Sequence, residues 1–437
     1  MISIINFIRL LFLFLILLPL YFFKKKETVY LFFKLAGPSF IKLGQILSVR
    51  SDLIGDEMAM VLSQFQDRMK PFSEDKLFKI LNKEFANNFD DIFKDFNYQA
   101  VASASIAQVH KATLKNNQEV AVKILRPNIE KIMRRDISTL KLLATIIKIF
   151  SPFLSKTFFD ISELLYQTSR YELDLLHEAA NGSKLRENLK NVQGFYVPEI
   201  FWKISSQKIL VIEWLSGVAF SNKEAINKTK FDKKKIAENL VISYFNQVYV
   251  DGFFHADMHP GNLFLLANGD IGVVDFGIMG KIDRKLRIGL AEILISFLHK
   301  EYNRIAELHI ELELVPANTN IDDLALSCRK IGEMIVDNDV KDISVAKLLT
   351  DLIKMTRDYK MATRPELLLL QKTLLLVEGV GVTLDKNLNM WELSRPWVKE
   401  WARTNIGFDA KIRDATIDIF KIIKKFIKDH EKIFFKF

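Results

Sequence analysis

Asp257 and Asn262 stand five residues apart, and Asp275 follows 13 residues later in Asp275-Phe276-Gly277. Phosphoryl transfer needs such a set. One carboxylate orients or deprotonates the acceptor, while an amide oxygen and a second carboxylate hold the metal that neutralises developing phosphate charge. The apolar runs Leu263–Leu266 and Asp270–Val274, joined at Asn268-Gly269, predict a short hairpin between the two candidate metal ligands. The tripeptide alone says little; this order, spacing and strand context together are specific. His255 is read as a structural histidine with a buried hydrogen bond. His259 either steadies a phosphate or shapes the loop.

Upstream lies Val120-Ala121-Val122-Lys123. Strand alternation puts Lys123 on the face opposite Val122 and Ile124. Beside the downstream aspartates it reads as the lysine that grips nucleotide phosphates and pairs with a helix glutamate. Isolated, it would be a solvated strand lysine. Protein kinases place a glycine-rich loop before that strand. Here the stretch is Val101, Ala102, Ser103, Ala104, Ser105, Ile106, Ala107, Gln108 and Val109, with no glycine from Val101 to Lys123. Alanine restricts positive φ, so a stiffer loop over the nucleotide is expected. Ala256 stands where protein kinases carry Arg, and His259 where they carry Lys. His-x-Asp-x-His-x-x-Asn is closer to small-molecule kinases of the aminoglycoside and choline type. After Gly277 come Ile-Met-Gly-Lys281 and then helix, with no activation segment and no Ala-Pro-Glu. A platform for a peptide substrate is missing.

Two further motifs have no place in ordinary kinases. Lys42-Leu-Gly-Gln45 puts Lys42 and Gln45 on one helical face, and Glu172-Leu-Asp174 with Glu178 puts Asp174 and Glu178 at i, i+4. Taken alone, either reads as a solvated helix face.

The elements that must position these groups follow from periodicity. Residues 27–90 read as helices, punctuated at Gly37-Pro38. A hairpin covers 98–126, a long helical stretch 128–190, and two strands Val197–Trp202 and Ile209–Glu213. A helix spans about 232–250, and 283–437 reads almost wholly as helix. The expected fold class is α+β: a bilobal, protein-kinase-like fold with a helical N-terminal extension and a largely helical C-lobe. The expected segments are 1–26, membrane-associating; 27–95, helical extension; 96–215, N-lobe with inserted helices at 128–190; 216–400, C-lobe; and 401–437, a basic amphipathic tail.

The 437 residues are 49% hydrophobic and 26% charged, which predicts globular folding over two or three lobes. A single cysteine, Cys328, excludes a disulfide framework and a multi-cysteine metal site. The net charge of +9 adjoins apolar ends, and zinc-finger and single-strand-binding motifs are absent. Membrane rather than nucleic acid is the expected partner. Leu10–Phe23 is unbroken and apolar, followed by Lys24-Lys25-Lys26. At about 21 Å of helix it is short of the roughly 30 Å hydrocarbon core. A bilayer span, an interfacial anchor and a buried helix all stay open. If it spans, the lysines keep the body on the cytoplasmic side. Ile417–Phe437 reads as a basic amphipathic helix, lying on an anionic surface or packed on its own domain.

Together, Gly37-Pro-Ser-Phe-Ile-Lys-Leu-Gly-Gln45, Leu62…Gln66-Asp67, Ala102–Ser105 with Ile106-Ala-Gln-Val-His110, Glu172-Leu-Asp174 with Glu178-Ala-Ala-Asn181, and His255–Asn262 resemble the UbiB family of atypical kinases, called ADCK proteins in animals. The resemblance runs from about Phe33 to Asn387. It implies an ATP- and Mg²⁺-dependent kinase or ATPase supporting ubiquinone (coenzyme Q) biosynthesis at membranes, with quinone-pathway lipids or proteins as partners; the N-terminal apolar segment, the C-terminal basic helix or both set the expected location, the cytoplasmic face of the inner membrane. Lys123 would pair with Glu178 and contact phosphate, Asp257 would accept a proton, and Asn262 and Asp275 would hold Mg²⁺. Val101–Val109 would cover the nucleotide. Glu213-Trp-Leu215 would offer the backbone of Glu213 and Leu215 to adenine. Lys42, Gln45, Glu172 and Asp174 would form a lid where a protein substrate docks in other kinases. The alternative is a nucleotide-binding pseudokinase acting as a scaffold or lipid-handling switch. An older family label, polyprenylphenol hydroxylase, finds no flavin fingerprint, haem-type cysteine or iron ligands here.

Overall fold

The computed structural model describes residues 2–48, 54–65, 69–86, 88–336, 350–352, 355, 359 and 364–405. The motif residues Gln66-Asp67 and the tail Ile417–Phe437 lie outside these. The fold is mixed helix and strand, as the periodicities predict. It divides into two compact units. The first comprises 1–230, 255–280 and 363–373, and the second 231–254, 281–362 and 374–437.

The first unit opens with α1 (Ile2–Phe23), α2 (Lys25–Ala36), α3 (Pro38–Ser48), α4 (Asp56–Leu62) and α5 (Glu74–Glu84), and a short α6 (Phe89–Ile92). Gly37, at φ 115°, makes the turn into α3 that a side chain would resist. A sheet follows, built from β1 (Phe93–Phe96), β2 (Ala102–Ser103), β3 (Ala107–Leu114), β4 (Glu119–Leu125) and, later, β6 (Ile209–Glu213). Its order is β1-β3-β4-β6, with β2 paired to β3 and every pairing antiparallel. Val120, Val122 and Ile124 of β4 are fully buried with Ile209 and Val211 of β6, over Leu77 and Leu81 of α5. Each such side chain contributes about 1.5–3 kcal/mol on burial.

The helical stretch expected over 128–190 is three helices: α7 (Ile129–Ile147), α8 (Pro152–Glu172) and α9 (Leu175–Leu189). The first break has Ser151 as N-cap with Pro152 at the first turn. At the second break Asp174, with φ −120°, caps α9 by accepting from the Leu176 N–H at 3.1 Å. Asp174 and Glu178 therefore do not share a continuous helical face; one caps the helix that carries the other. The strand expected over Val197–Trp202 is also revised. β5 is Phe195–Tyr196, only Ile200 bridges to Ile212, and Trp202 lies in a tight helical turn. Pro198 has no N–H to donate to a ladder.

Next come β7 (Gly217–Ala219) and α10 (Lys223–Lys228). A second sheet, ordered β5-β10-β9-β7, holds β9 (Leu263–Leu266) and β10 (Ile271–Val273), the predicted hairpin about Asn268-Gly269. A second apolar core joins Leu10 of α1, Phe40, Leu43 and Leu47 of α3, Phe65, Ile137 and Leu140 of α7, and Leu165 of α8.

The second unit holds α11 (Lys233–Phe245), which widens into a π turn over Asn246–Asp251. It also holds α12 (Arg284–Leu298), α13 (Tyr302–Glu311), α14 (Ile321–Val336) and α16 (Met390–Asn405). Trp401 Nε1 donates to the Tyr249 carbonyl at 3.0 Å, and Trp397 Nε1 to Asn246 Oδ1 at 3.1 Å, which satisfies the widened turn. Cys328 is buried in α14, where burial pushes its thiol up to about 12. α15 (Pro365–Leu384) begins in the first unit, through Thr373, and continues in the second.

Candidate active site

Lys123 sits on β4, the strand paired on both sides, opposite Val109 of β3 and Leu210 of β6. Its Nζ lies 2.8 and 2.9 Å from the two carboxylate oxygens of Glu178 and 2.9 Å from Asp275 Oδ1. Burial alone would lower the Lys123 pKa, but Asp275 and Glu178 together raise it, so the ammonium is held charged. Burial and the nearby Asp275 push Glu178 up against the pull of Lys123. Burial opposes ionisation of Asp275 too, yet Lys123, with help from Lys42 and His255, holds its carboxyl well below the usual range.

One face of α9 holds the Asp-Phe-Gly turn. Glu178 reaches Lys123; Asn181 Nδ2 donates to the Phe276 carbonyl at 3.0 Å. Gly182 lies under the Phe276 ring, where an added Cβ would come within 2.6 Å of Cδ2. Asp275 has φ 66°, a left-handed conformation that Asp tolerates better than most residues. The backbone behind it is fixed by Val274 N–H to the Asn262 carbonyl at 3.0 Å.

The catalytic loop runs from β8 (Phe253–His255) to β9. His255 is fully buried: its Nδ1 accepts from the Asp257 N–H at 3.1 Å and its Nε2 donates to the Val274 carbonyl at 3.2 Å. Asn262 Nδ2 donates to the Asp257 carbonyl at 3.1 Å, which leaves the amide oxygen to face a ligand. His259 Nδ1 accepts from the Gly261 N–H at 3.0 Å, so its ring shapes the loop, with Nε2 3.8 Å from Asp257 Oδ2. Asp257 Oδ1 is 2.8 Å from Nζ of Lys372 on α15. Burial would raise the Asp257 pKa; the Lys372 ammonium, then His259, hold it below the ordinary value. Lys372 belongs to no motif, and no local spacing announces it.

The alanine-rich stretch is a pinned turn. Ala104 N–H bonds the Ala107 carbonyl at 2.8 Å. The Arg126 guanidinium donates to the Ala104 carbonyl at 3.0 Å, to Ser103 Oγ at 2.8 Å and to the Lys70 carbonyl at 2.9 Å. Ser105, Ile106, Ala107 and Gln108 are buried, while Val101 and Ala102 are exposed. Gln108 Oε1 accepts from the Phe72 N–H at 3.0 Å and its Nε2 lies 2.8 Å from His110 Nε2. That side chain secures the segment entering α5 instead of facing a nucleotide. At the candidate hinge, the Glu213 carboxylate accepts from the Tyr196 hydroxyl at 2.8 Å and the Glu199 N–H at 3.0 Å. Burial first, then Glu213, pushes the Tyr196 hydroxyl up to about 12. Leu215 packs against Gly272 of β10. Glu213 and Leu215 therefore hold the hinge by their side chains, and only backbone groups remain for a base.

Lys42 and Glu172 are not on solvated faces. Their side chains are 9% and 4% exposed, with Nζ 2.6 Å from Oε1. A lysine buried this far needs a partner, and one so distant in sequence leaves no local signal. Gln45 Nε2 lies 3.4 Å from the Phe65 carbonyl.

Asn262 and Asp275 offer hard oxygen donors, and the Asp275 side chain keeps 44% exposure. Among the described residues no three His, Cys, Asp or Glu side chains form a metal cage. The donors suit Mg²⁺, which takes one or two protein ligands and completes its shell with phosphate and water.

Residues 64–309 match the ABC1 atypical kinase-like domain, and residues 328–389 the UbiB helical domain. A protein of Marinobacter nauticus named probable protein kinase UbiB is 39% identical over 376 residues, covering 85% of this chain and 69% of that one. Its namesake in Pseudomonas aeruginosa PAO1 is 38% identical, covering 85% and 70%. A Mycobacterium tuberculosis protein solved in complex with erythromycin superposes with TM-score 0.56 at 25% identity, over 80% of this chain and 90% of that one. With the kinase-like domain followed by its helical partner, this chain belongs to the UbiB family of ABC1 atypical kinase-like proteins.

Proposed function

We propose that the chain is an ATP- and Mg²⁺-dependent phosphotransferase or ATPase of the UbiB type that supports ubiquinone biosynthesis at a membrane surface. The observation that carries this is Lys123 bridging Glu178 and Asp275 across three separate elements. In this reading Lys123 orients the nucleotide phosphates, while Glu178 fixes the lysine. Asn262 and Asp275 would hold Mg²⁺, which would neutralise charge on the phosphate oxygens. Asp257 takes the proton of the acceptor hydroxyl, or of water, as oxygen bonds to the terminal phosphorus and ADP departs. After Gly277 come a short strand, Met279–Lys281, and then α12 from Arg284, which leaves no room for an activation segment and favours small or lipid acceptors over peptides.

The membrane part rests on exposed apolar surface. α1 is long and apolar enough to cross a bilayer by composition, with mean hydropathy 2.3. One side of it is committed to protein: Asn6 Nδ2 donates to Asp136 Oδ1 at 3.0 Å and to Thr139 Oγ1 at 2.9 Å, both on α7. Its outer face, including Ile8, Phe12, Ile16 and Phe23, is exposed, as are Phe150 and Phe153 at the α7–α8 tip, at 83% and 78%. Such a helix lies on a lipid surface more readily than across it. Pro365–Leu384 also passes the composition test, with mean hydropathy 1.7, but half of it is buried and Lys372 is tied to Asp257. That helix reads as a core helix.

Purified protein should float with anionic vesicles and release phosphate from MgATP faster in their presence. Asp275→Asn should lower that release about 10²–10³-fold. A wild type that binds ATP and turns none over would favour a pseudokinase scaffold. A strain carrying Asp257→Asn should accumulate quinone precursors; an unchanged lipid profile would remove the pathway assignment.

A further inference from the structure

Lys372 is out of pattern where it stands. It lies on an apolar helix of mean hydropathy 1.7, beside buried Leu367, Leu368, Leu370 and Thr373. Its Nζ nevertheless lies 2.8 Å from Oδ1 of the catalytic-loop carboxylate, across 115 residues of sequence. The loop itself brings no permanent cation to this spot. His259 stands where a lysine would be expected, and its Nδ1 is tied to the Gly261 N–H while Nε2 stays 3.8 Å from Asp257, beyond hydrogen-bonding range.

We infer that Lys372 is the phosphate-facing cation of this site, supplied by the helical segment that follows the kinase-like domain. Two anions would otherwise meet there: the Asp257 carboxylate and the terminal phosphoryl group of the nucleotide. An ammonium shared between them relieves the repulsion and stabilises charge that develops on the equatorial oxygens. Lysine suits this role as a compact charge on a flexible stem, able to turn from carboxylate to phosphate. The side chains of Lys372 and Asp257 are 32% and 24% exposed, so the pair is open to an arriving ligand and not sealed. The first turns of α15, through Thr373, are then part of the active site. This inference rests on the phosphoryl-transfer reading above.

The test compares wild type, Lys372→Gln and Lys372→Arg for affinity toward MgATP and MgADP, for phosphate release, and for thermal midpoint. Gln keeps a hydrogen-bonding partner for Asp257 but removes the charge; Arg restores the charge. Lys372→Gln should weaken ATP about tenfold while ADP stays within about twofold, since only ATP carries the terminal phosphate. Phosphate release should fall about 100-fold, and Lys372→Arg should recover most of the ATP affinity. Equal losses for ATP and ADP, or unchanged ATP affinity in a folded Gln variant, would overturn the assignment to phosphate. If wild type binds ATP without turnover, the ATP-to-ADP split still decides the role of Lys372, and only the catalytic reading falls. If wild type binds neither nucleotide, both fall.

Discussion

Two lysine–glutamate pairs flank the break between α8 and α9, and they differ in what surrounds them. Lys42 meets Glu172 at the end of α8 with both side chains almost wholly buried. Lys123 meets Glu178 in the first turn of α9, and the same ammonium also holds Asp275, whose side chain is 44% exposed. The first pair is closed to solvent; the second opens toward it through one carboxylate. A closed pair gives little net stability but makes loss of either partner expensive, because an uncompensated charge stays buried. An open cluster can trade a protein contact for a ligand contact at small cost. Similar chemistry thus forms a sealed latch on one side of Leu173-Asp174 and, in the function proposed above, a ligand grip on the other.

That contrast can be broken at three strengths. The largest effect belongs to the latch. Lys42→Met should destabilise the fold by about 3–5 kcal/mol in denaturant titrations, and adding Glu172→Leu should restore most of it. Lys123→Met should instead abolish phosphate release with a smaller stability loss; equal losses from the two lysines would erase the distinction. Next comes the α9 face that carries the grip. Gly182→Ala drives a methyl into the Phe276 ring, and overpacking of this kind costs about 1–3 kcal/mol. The expected result is a lower thermal midpoint together with weaker nucleotide binding, because the Phe276 ring sits next to Asp275. The smallest effect is at the break itself. Asp174→Ala removes the N-cap of α9 and should cost about 1 kcal/mol, with nucleotide affinity nearly unchanged. A large affinity loss from Asp174→Ala would mean that the residue does more than cap.

The geometry of the loop was legible because it is local. Asp257, Asn262 and Asp275 lie on one loop–hairpin–turn whose geometry their spacing sets, and Lys123 lies on a strand with clear alternation. The α8–α9 break was not read, since Glu172-Leu173-Asp174 contains neither Gly nor Pro; Asp174 as an N-cap was the available signal. Val197–Trp202 looked like a strand because apolar residues outweighed Pro198. Burial of Lys42 and the approach of Lys372 to Asp257 depend on partners far along the chain, and no window of sequence holds both members. The adenine assignment concerned the backbone of Glu213; that its carboxylate holds Tyr196 was not legible, because the contact requires the second sheet to be in place.

The bond from Asn6 to Asp136 has a consequence for how the chain is made. The two residues are separated by 130 positions. At roughly 5–20 residues per second, the ribosome takes about 7 to 26 seconds to supply the partner that α1 needs. For that interval a greasy helix has left the exit tunnel with α2 to pack on, through Arg9 and the Ala36 carbonyl, but without the α7 surface that its Asn6 amide needs. Biogenesis of this protein therefore calls for a temporary host, a targeting factor or the bilayer itself, that can hold the helix and then let one side of it go.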